Sequence, residues 1–295
     1  MKTLSALVLV LFLANAAFAT DNASRQRYIS IEKLEKNRQF RIKLRSKGGY
    51  QAYCMKMFFE NKDKDTCFAL VEAGRRLKSV DSTQQDIFIV RNTYAVIPPG
   101  TKKEFDLYGF CCISHNKSPK SGSPFKTGYM EGKDWQTIAN LINDNAFDQS
   151  AIQSAVWAIS NNHSVSSIGR GQNDKNLALL KAVAELKKVE VPWYNTSYAQ
   201  ETGRVFSNKP KMIQGEIPYQ LAYESAVTVL VKDEHGTVIT TLVDESPAAK
   251  GKYVFYLDLE IAKWRDGKYE CVIIQDGFKI LETKTFEISR VISEG

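Results

Sequence analysis

The sequence predicts a mainly β protein with a helical cap (α+β), built as two modules in tandem. Three observations predict it. Residues 26–118 are a succession of short runs rich in β-branched and aromatic residues, broken by turn formers. Downstream of the polar loop at 114–124 the apolar period changes from that of a strand to that of a helix. From about Lys211 to Ser289 the alternation returns. The expectation is therefore a β-sandwich plus a three-helix segment over 26–192, a linker over 193–208, and a second sandwich over 209–289.

In the first module the strand runs are QFRIKLRSK, YQAYCMKMFFEN, DTCFALVEAG, DIFIVRNTYAVI and KKEFDLYGFCCI. NKDKD at 61–65 reads as a hairpin connection, and PPGTKK at 98–103 separates two strands. SHNKSPKSGSP at 114–124 is a polar loop. Trp135, Ile138, Ala139 and Ile142 then recur at helical spacing. Asp148 is placed to cap a second helix whose buried stripe is Ile152, Ala155, Val156 and Ile159. A third helix over 176–189 ends on Lys187 and Lys188 and is stopped by Pro192.

The second module alternates Val227, Val229 and Val231, turns at DEHG, and continues through TVITTLV, KYVFYLDL and YECVIIQDG. Tyr269, Cys271 and Ile273 share one phase, which makes Cys271 a buried, inert thiol. VTVLVKDEHGTVITTLV, KGKYVFYLDL and DGKYECVIIQDGFKI together resemble the immunoglobulin-like domains at the C-termini of flagellar hook-capping proteins and many exported bacterial proteins. The resemblance covers the last quarter of the chain and implies a spacer module without catalytic residues.

The chain opens MKTLSALVLVLFLANAAFAT, with Lys2 as the charged start and an apolar run from Leu4 to Leu13. This reads as a cleavable signal peptide over 1–19, cut after Ala17-Phe18-Ala19, and predicts a secreted, periplasmic or cell-surface protein with no transmembrane segment. Its loss takes Lys2 from a formal net charge of +7. In FRIKLRSK the basic residues alternate with Phe40, Ile42 and Leu44, so Arg41, Lys43 and Arg45 share an outward face. That face suits an anionic ligand or simply water. No nucleic-acid recognition motif is present, and the expected partner is a protein or glycan at the cell surface.

Five cysteines, at 54, 67, 111, 112 and 271, leave at least one outside any intramolecular disulfide. Their spacing suggests no zinc site, so neither a metal nor a cofactor is expected. A Cys111–Cys112 or Cys54–Cys112 disulfide would suit an oxidising compartment.

The helix FDQSAIQSAVWAISNNHS carries a puzzle. With about 100° per residue, Gln153 and Trp157 lie about 100° and 140° from Ile152, off the apolar stripe. A tryptophan there needs a second surface or a cleft, and the Gln153 amide then needs a partner. Strand phase sets Cys111 with Phe105 and Leu107, and Cys112 with Tyr108 and Phe110. If helices cover the outer face, Cys112 is the thiol that meets Gln153; Cys54 is an alternative. IQSAVW at 152–157 is similar to the glutamine signature of the thioester domains of Gram-positive surface adhesins, with Ile152 in place of the family's threonine. The resemblance implies an internal thioester between Gln153 and a cysteine, with YCM around Cys54 the better match and FCC around Cys111 a partial one.

The sequence has no paired carboxylate motif, phosphate loop or nucleophile elbow. The expectation is a non-enzymatic binding or adhesion protein of the surface or envelope. The alternative is a cysteine-dependent hydrolase or transferase with His163, or His115, as base.

Overall fold

The computed structural model of the chain describes residues 27–202 and 204–290, so the expected signal peptide lies outside the described residues. The protein is mainly β. In chain order its first part holds β1 (Ile29–Ser30), α1 (Ile31–Glu35), β2 (Phe40–Ser46), β3 (Met55–Asn61), β4 (Cys67–Val71), β5 (Arg75–Ser79), β6 (Ile87–Ile89), β7 (Thr93–Ile97), β8 (Lys102–Leu107), β9 (Gly109–Cys111) and β10 (Pro124–Met130). The helices α2 (Lys133–Asp144), α3 (Gln149–Ser160) and α4 (Leu177–Lys187) follow.

Seven strands pair in the order β8-β3-β2-β10-β5-β6-β9, and β1-β4-β7 form a three-stranded sheet. One apolar cluster joins the two sheets, with Leu44, Met57, Leu77 and Cys111 from the larger and Ala69 and Ile97 from the smaller. The period of two sends the intervening side chains the other way. Phe88, Phe110 and Cys112 enter a second cluster with Ile138, Ile152, Val156 and Leu180 of the helices. The helical layer therefore covers the β6–β9 end of the outer face.

Two of the expected strands divide. DIFIVRNTYAVI yields β6 and β7 in different sheets, and KKEFDLYGFCCI yields β8 and β9. The start of YQAYCMKMFFEN is irregular up to Cys54, although Cys111 N still donates to Tyr50 O (2.8 Å) and Gly109 N to Ala52 O (2.9 Å). β10 bulges between Lys126 and Tyr129, where Gly128 adopts φ 63° and any Cβ would run into the Arg76 carbonyl. Arg75 in β5 is buried but fully engaged, with Nε donating to Glu72 (2.7 Å) and Nη2 to Ser30 Oγ (3.2 Å).

All three expected helices form. Asp148 does stand at the N-cap of α3, but its carboxylate makes no cap bond. It instead pairs with Lys175 Nζ (2.7 Å) and Asn176 Nδ2 (3.0 Å), stitching α3 to the start of α4. At the other end Lys187 Nζ donates to Ala158 O (3.0 Å), a carbonyl the helix leaves open, and to His163 O (3.0 Å) and Asn162 Oδ1 (2.6 Å) just beyond it.

The second part holds β11 (Tyr194–Tyr198), β12 (Pro210–Leu221), β13 (Ser225–Asp233), β14 (Val238–Ala248), β15 (Gly251–Glu260), β16 (Gly267–Gln275) and β17 (Lys279–Ile288). The sheets β11-β12-β15 and β14-β13-β16-β17 share a core of Ile213, Ile217, Val229, Leu257, Ile273 and Phe286. Cys271 is fully buried there, and burial pushes its thiol up to about 11. The expected linker begins as a strand: β11 pairs antiparallel with β12 from Tyr194↔Gly215 onward. Its side chains are too polar to announce it, yet its backbone completes a sheet edge.

Candidate functional site

Helix α3 lies against β9 and turns nearly every side chain inward, from Ala151 through Ala158 with Ser154 excepted. The single apolar stripe read from periodicity widens because β9 and α4 lie on different sides of the helix. Gln153 is 2 % exposed and Trp157 6 %. Gln153 Nε2 donates to the Cys111 carbonyl at 2.8 Å, while its Oε1 is buried without a partner among the described residues.

Trp157 has the second surface it requires. Tyr50 stacks on it at 6.4 Å and 15°. Phe206 meets it edge-on at 5.5 Å, and His163 closes a third side at 5.7 Å. Its Nε1 is also buried without a partner among the described residues. Gln153 and Trp157 thus grip one strand edge: the amide takes the carbonyl of Cys111, and the indole covers the Tyr50 residue whose carbonyl takes the Cys111 N–H.

Cys111 and Cys112 divide as the strand phase predicts: Cys112 belongs to the helix-side cluster and Cys111 to the cluster between the sheets. Cys54 does not: phase sets it with Lys56, opposite Met55, Met57 and Phe59, yet it joins those three between the sheets, because β3 begins only at Met55 and Cys54 stands in the irregular segment before it. All five cysteines are free thiols. Neither expected disulfide is formed, because Cys112 faces away from both Cys111 and Cys54 across the sheet. Cys112 Sγ donates to Asp86 O and Cys54 Sγ to Gly109 O, each at 3.4 Å. Burial pushes both thiols up to about 12, with the Arg76 charge opposing the shift at Cys112. Cys111 is raised well above the ordinary thiol range by the same desolvation. These sulfurs are neutral at physiological pH.

His163 is buried, and its Nε2 lies 2.9 Å from Ser114 Oγ. Phe206 covers the ring at 3.9 Å between centroids. Burial, then the nearby Lys187 charge, lowers the imidazole to about 3. The structure brings His163 to Ser114; His115, in the adjacent loop, is exposed. Arg41 and Lys43 are exposed and Arg45 half-buried on the far, uncovered part of the seven-stranded sheet, away from the seam.

Sequence reasoning missed four participants: Tyr50, Ser114, Lys187 as a helix cap, and Phe206. Phe206 left a signal only as one of four aromatic residues, with Trp193, Tyr194 and Tyr198, in the expected linker. It also missed a cleft of about 720 Å³ where the two parts of the chain meet, lined by Asn162, Lys187, Trp193, Lys268, Glu287 and Arg290 among others. Among the described residues no group of three His, Cys, Asp or Glu is placed to hold a metal ion. No helix among them is long and apolar enough to cross a membrane.

No protein-family model matches this chain, and no curated protein matches it. What fold and site define is a class: a mainly β chain with a helical layer, in which a buried glutamine amide is anchored beside two adjacent cysteines.

Proposed function

We propose that this is an exported, non-enzymatic binding or adhesion protein of the cell surface or envelope. Its first part is a β-sandwich with a helical cap and its second an immunoglobulin-like spacer. Its working site is the seam between α3 and the end of β9, where Cys112 and Gln153 form an internal thioester. The supporting observation is the Gln153 amide, held inside the seam by Cys111 O at 2.8 Å with its own carbonyl oxygen unpartnered. Of the three cysteines, Cys112 has the best claim, since its side chain lies on the α3 side of the sheet.

The chemistry balances without a cofactor. The Cys112 Sγ–Gln153 Cδ bond forms, the Cδ–Nε2 bond breaks, and the thiol proton leaves with the nitrogen as ammonia. A lysine amine of a partner then attacks the acyl carbon, an amide forms, and the Cys112 thiol is restored. A dry, pre-positioned seam favours the first step by proximity and protects the thioester from water.

The test is intact mass of the exported chain without reductant, before and after methylamine. A mass low by one ammonia, converted by methylamine to the corresponding adduct and absent in Gln153→Ala, supports the thioester. An unmodified mass refutes it and leaves α3 as a non-covalent seal.

The cysteine-hydrolase reading has weaker support. The His163 Nε2 is engaged by Ser114, and the thiols and the imidazole are shifted in opposite directions, each against forming a thiolate–imidazolium pair.

A further inference from the structure

The outer face of the seven-stranded sheet is covered by helices at one end only, and the open end has two electrostatic halves. On β3 and β8 the outward charges cancel. Lys56 pairs with Glu104 (2.8 Å), Lys102 with Glu60 (3.7 Å), and Lys47, just past β2, with Asp106 (2.7 Å). On β2, β10 and the Lys78 end of β5 they do not, whereas Arg76 of β5, nearer the helices, is paired with Glu131 and Asp86. Arg41, Lys43, Arg45, Lys126 and Lys78 point outward, because Ile42, Leu44, Phe125 and Leu77 between them pack inward. None of these five makes an ion pair among the described residues; Glu60, opposite Arg41 in register, is the carboxylate held by Lys102.

Register makes this a grid. Lys126 stands directly opposite Lys78 on the neighbouring strand. Across β10 and β2, Pro124 pairs with Arg45 and Phe125 with Leu44, which puts Lys126 and Lys43 on the same face of neighbouring strands. Three lysines therefore share one face of three adjacent strands, with neighbouring strands about 4.8 Å apart, and the three basic residues of β2 run along their strand at about 6.7 Å. Like charges directly opposite one another in a sheet destabilise it. Among the described residues, the side-chain heads of the five are engaged by Arg45 Nη1 donating to Gly122 O (3.2 Å) and by Lys78 Nζ lying over the Tyr129 ring (5.7 Å).

We propose that this grid is a docking site for an acidic polysaccharide, a chain with a carboxylate or sulfate on successive sugars. Charge complementarity selects a polyanion: a row of evenly spaced point charges fits regularly repeated anionic groups, and a pleated face gives a linear chain room to lie flat. The choice of a glycan over nucleic acid or lipid rests on the export reading of residues 1–19. Every outward position of β2 is basic, which leaves no apolar side chain on that strand to enter a bilayer. The site is separate from the α3 seam, and its failure would leave the thioester question untouched.

The test uses the full exported chain with fluorescent polyuronate and sulfated oligosaccharides of defined length, single-stranded DNA and anionic phospholipid vesicles. Expected is binding to at least one oligosaccharide class that weakens as salt rises. The triple variant K43Q/K78Q/K126Q should bind about tenfold more weakly, as three exposed charge contacts warrant. Lys56→Gln, on the neutralised half, should bind as wild type. All three lysines are exposed, so the triple variant should melt no lower than wild type, which separates lost binding from lost folding. Absence of oligosaccharide binding at low salt, an unchanged triple variant, or tighter binding of DNA or vesicles would overturn the proposal.

Discussion

Acidification should destabilise this protein in part through His163. In the folded chain its imidazole is held neutral, with its proton affinity lowered from 6.5 to about 3 by burial and by Lys187. Unfolding returns the ring to water, where it takes up a proton below about 6.5, so the unfolded state holds the extra proton. The contribution to stability is whole above that value and declines as pH falls, down to about 3, where the folded protein is protonated too. Each pH unit within the window is worth about 1.4 kcal/mol, so the loss at pH 5 is about 2 kcal/mol. The assay is urea unfolding of wild type and His163→Gln at a series of pH values from about 7 to about 4.5. Glutamine keeps a group able to bond Ser114 but does not titrate. Carboxylates that also weaken the fold in acid, such as Glu72 and Asp148, are present in both proteins and cancel. The wild-type advantage should shrink by about 2 kcal/mol between neutrality and pH 5. A difference that stays flat across the series would refute the account of His163 as a buried neutral base.

Two further outcomes follow from the seam. Measured against protein whose Gln153 amide is intact, Gln153→Ala removes the donor to Cys111 O in a dry site and should cost about 1–3 kcal/mol in the same unfolding assay. Native alkylation at mildly alkaline pH should leave Cys54, Cys67, Cys111, Cys112 and Cys271 unlabelled, since all are buried and their thiols are raised. After unfolding every cysteine not held in a thioester should label, as read by peptide mass spectrometry.

Where burial follows a simple period, the sequence was a good guide. Alternation set Cys112 on the helix side and Cys111 between the sheets, and helical spacing located α2, α3 and α4. It failed where burial depends on partners far along the chain. β5 reads RRLKS and looks like surface, yet Arg75 is buried because Glu72, Glu32 and Ser30 meet its guanidinium. β10 reads PFKTGYM, with only Phe125 and Thr127 buried, and the pattern is further broken by the Gly128 bulge. In the site, the need of Gln153 for a partner was legible, but the partner is a backbone carbonyl, which no residue type advertises. Likewise Trp157 announced a covering surface, while Tyr50 and Phe206 are brought to it by the tertiary fold alone.

The coupling between the two parts has a mechanical meaning. Ser166, just beyond α3, bonds Thr196 of β11 at 2.8 Å, and β11 is itself laced into the second part through β12. Trp193 Nε1 reaches the Thr285 carbonyl of β17 at 2.6 Å, and Phe206 lies against His163 and Trp157. A pull on the second part therefore does not merely straighten a tether. It loads β11 and the residues around α3 together. Through Phe206 that load reaches Trp157, one turn of α3 from Gln153.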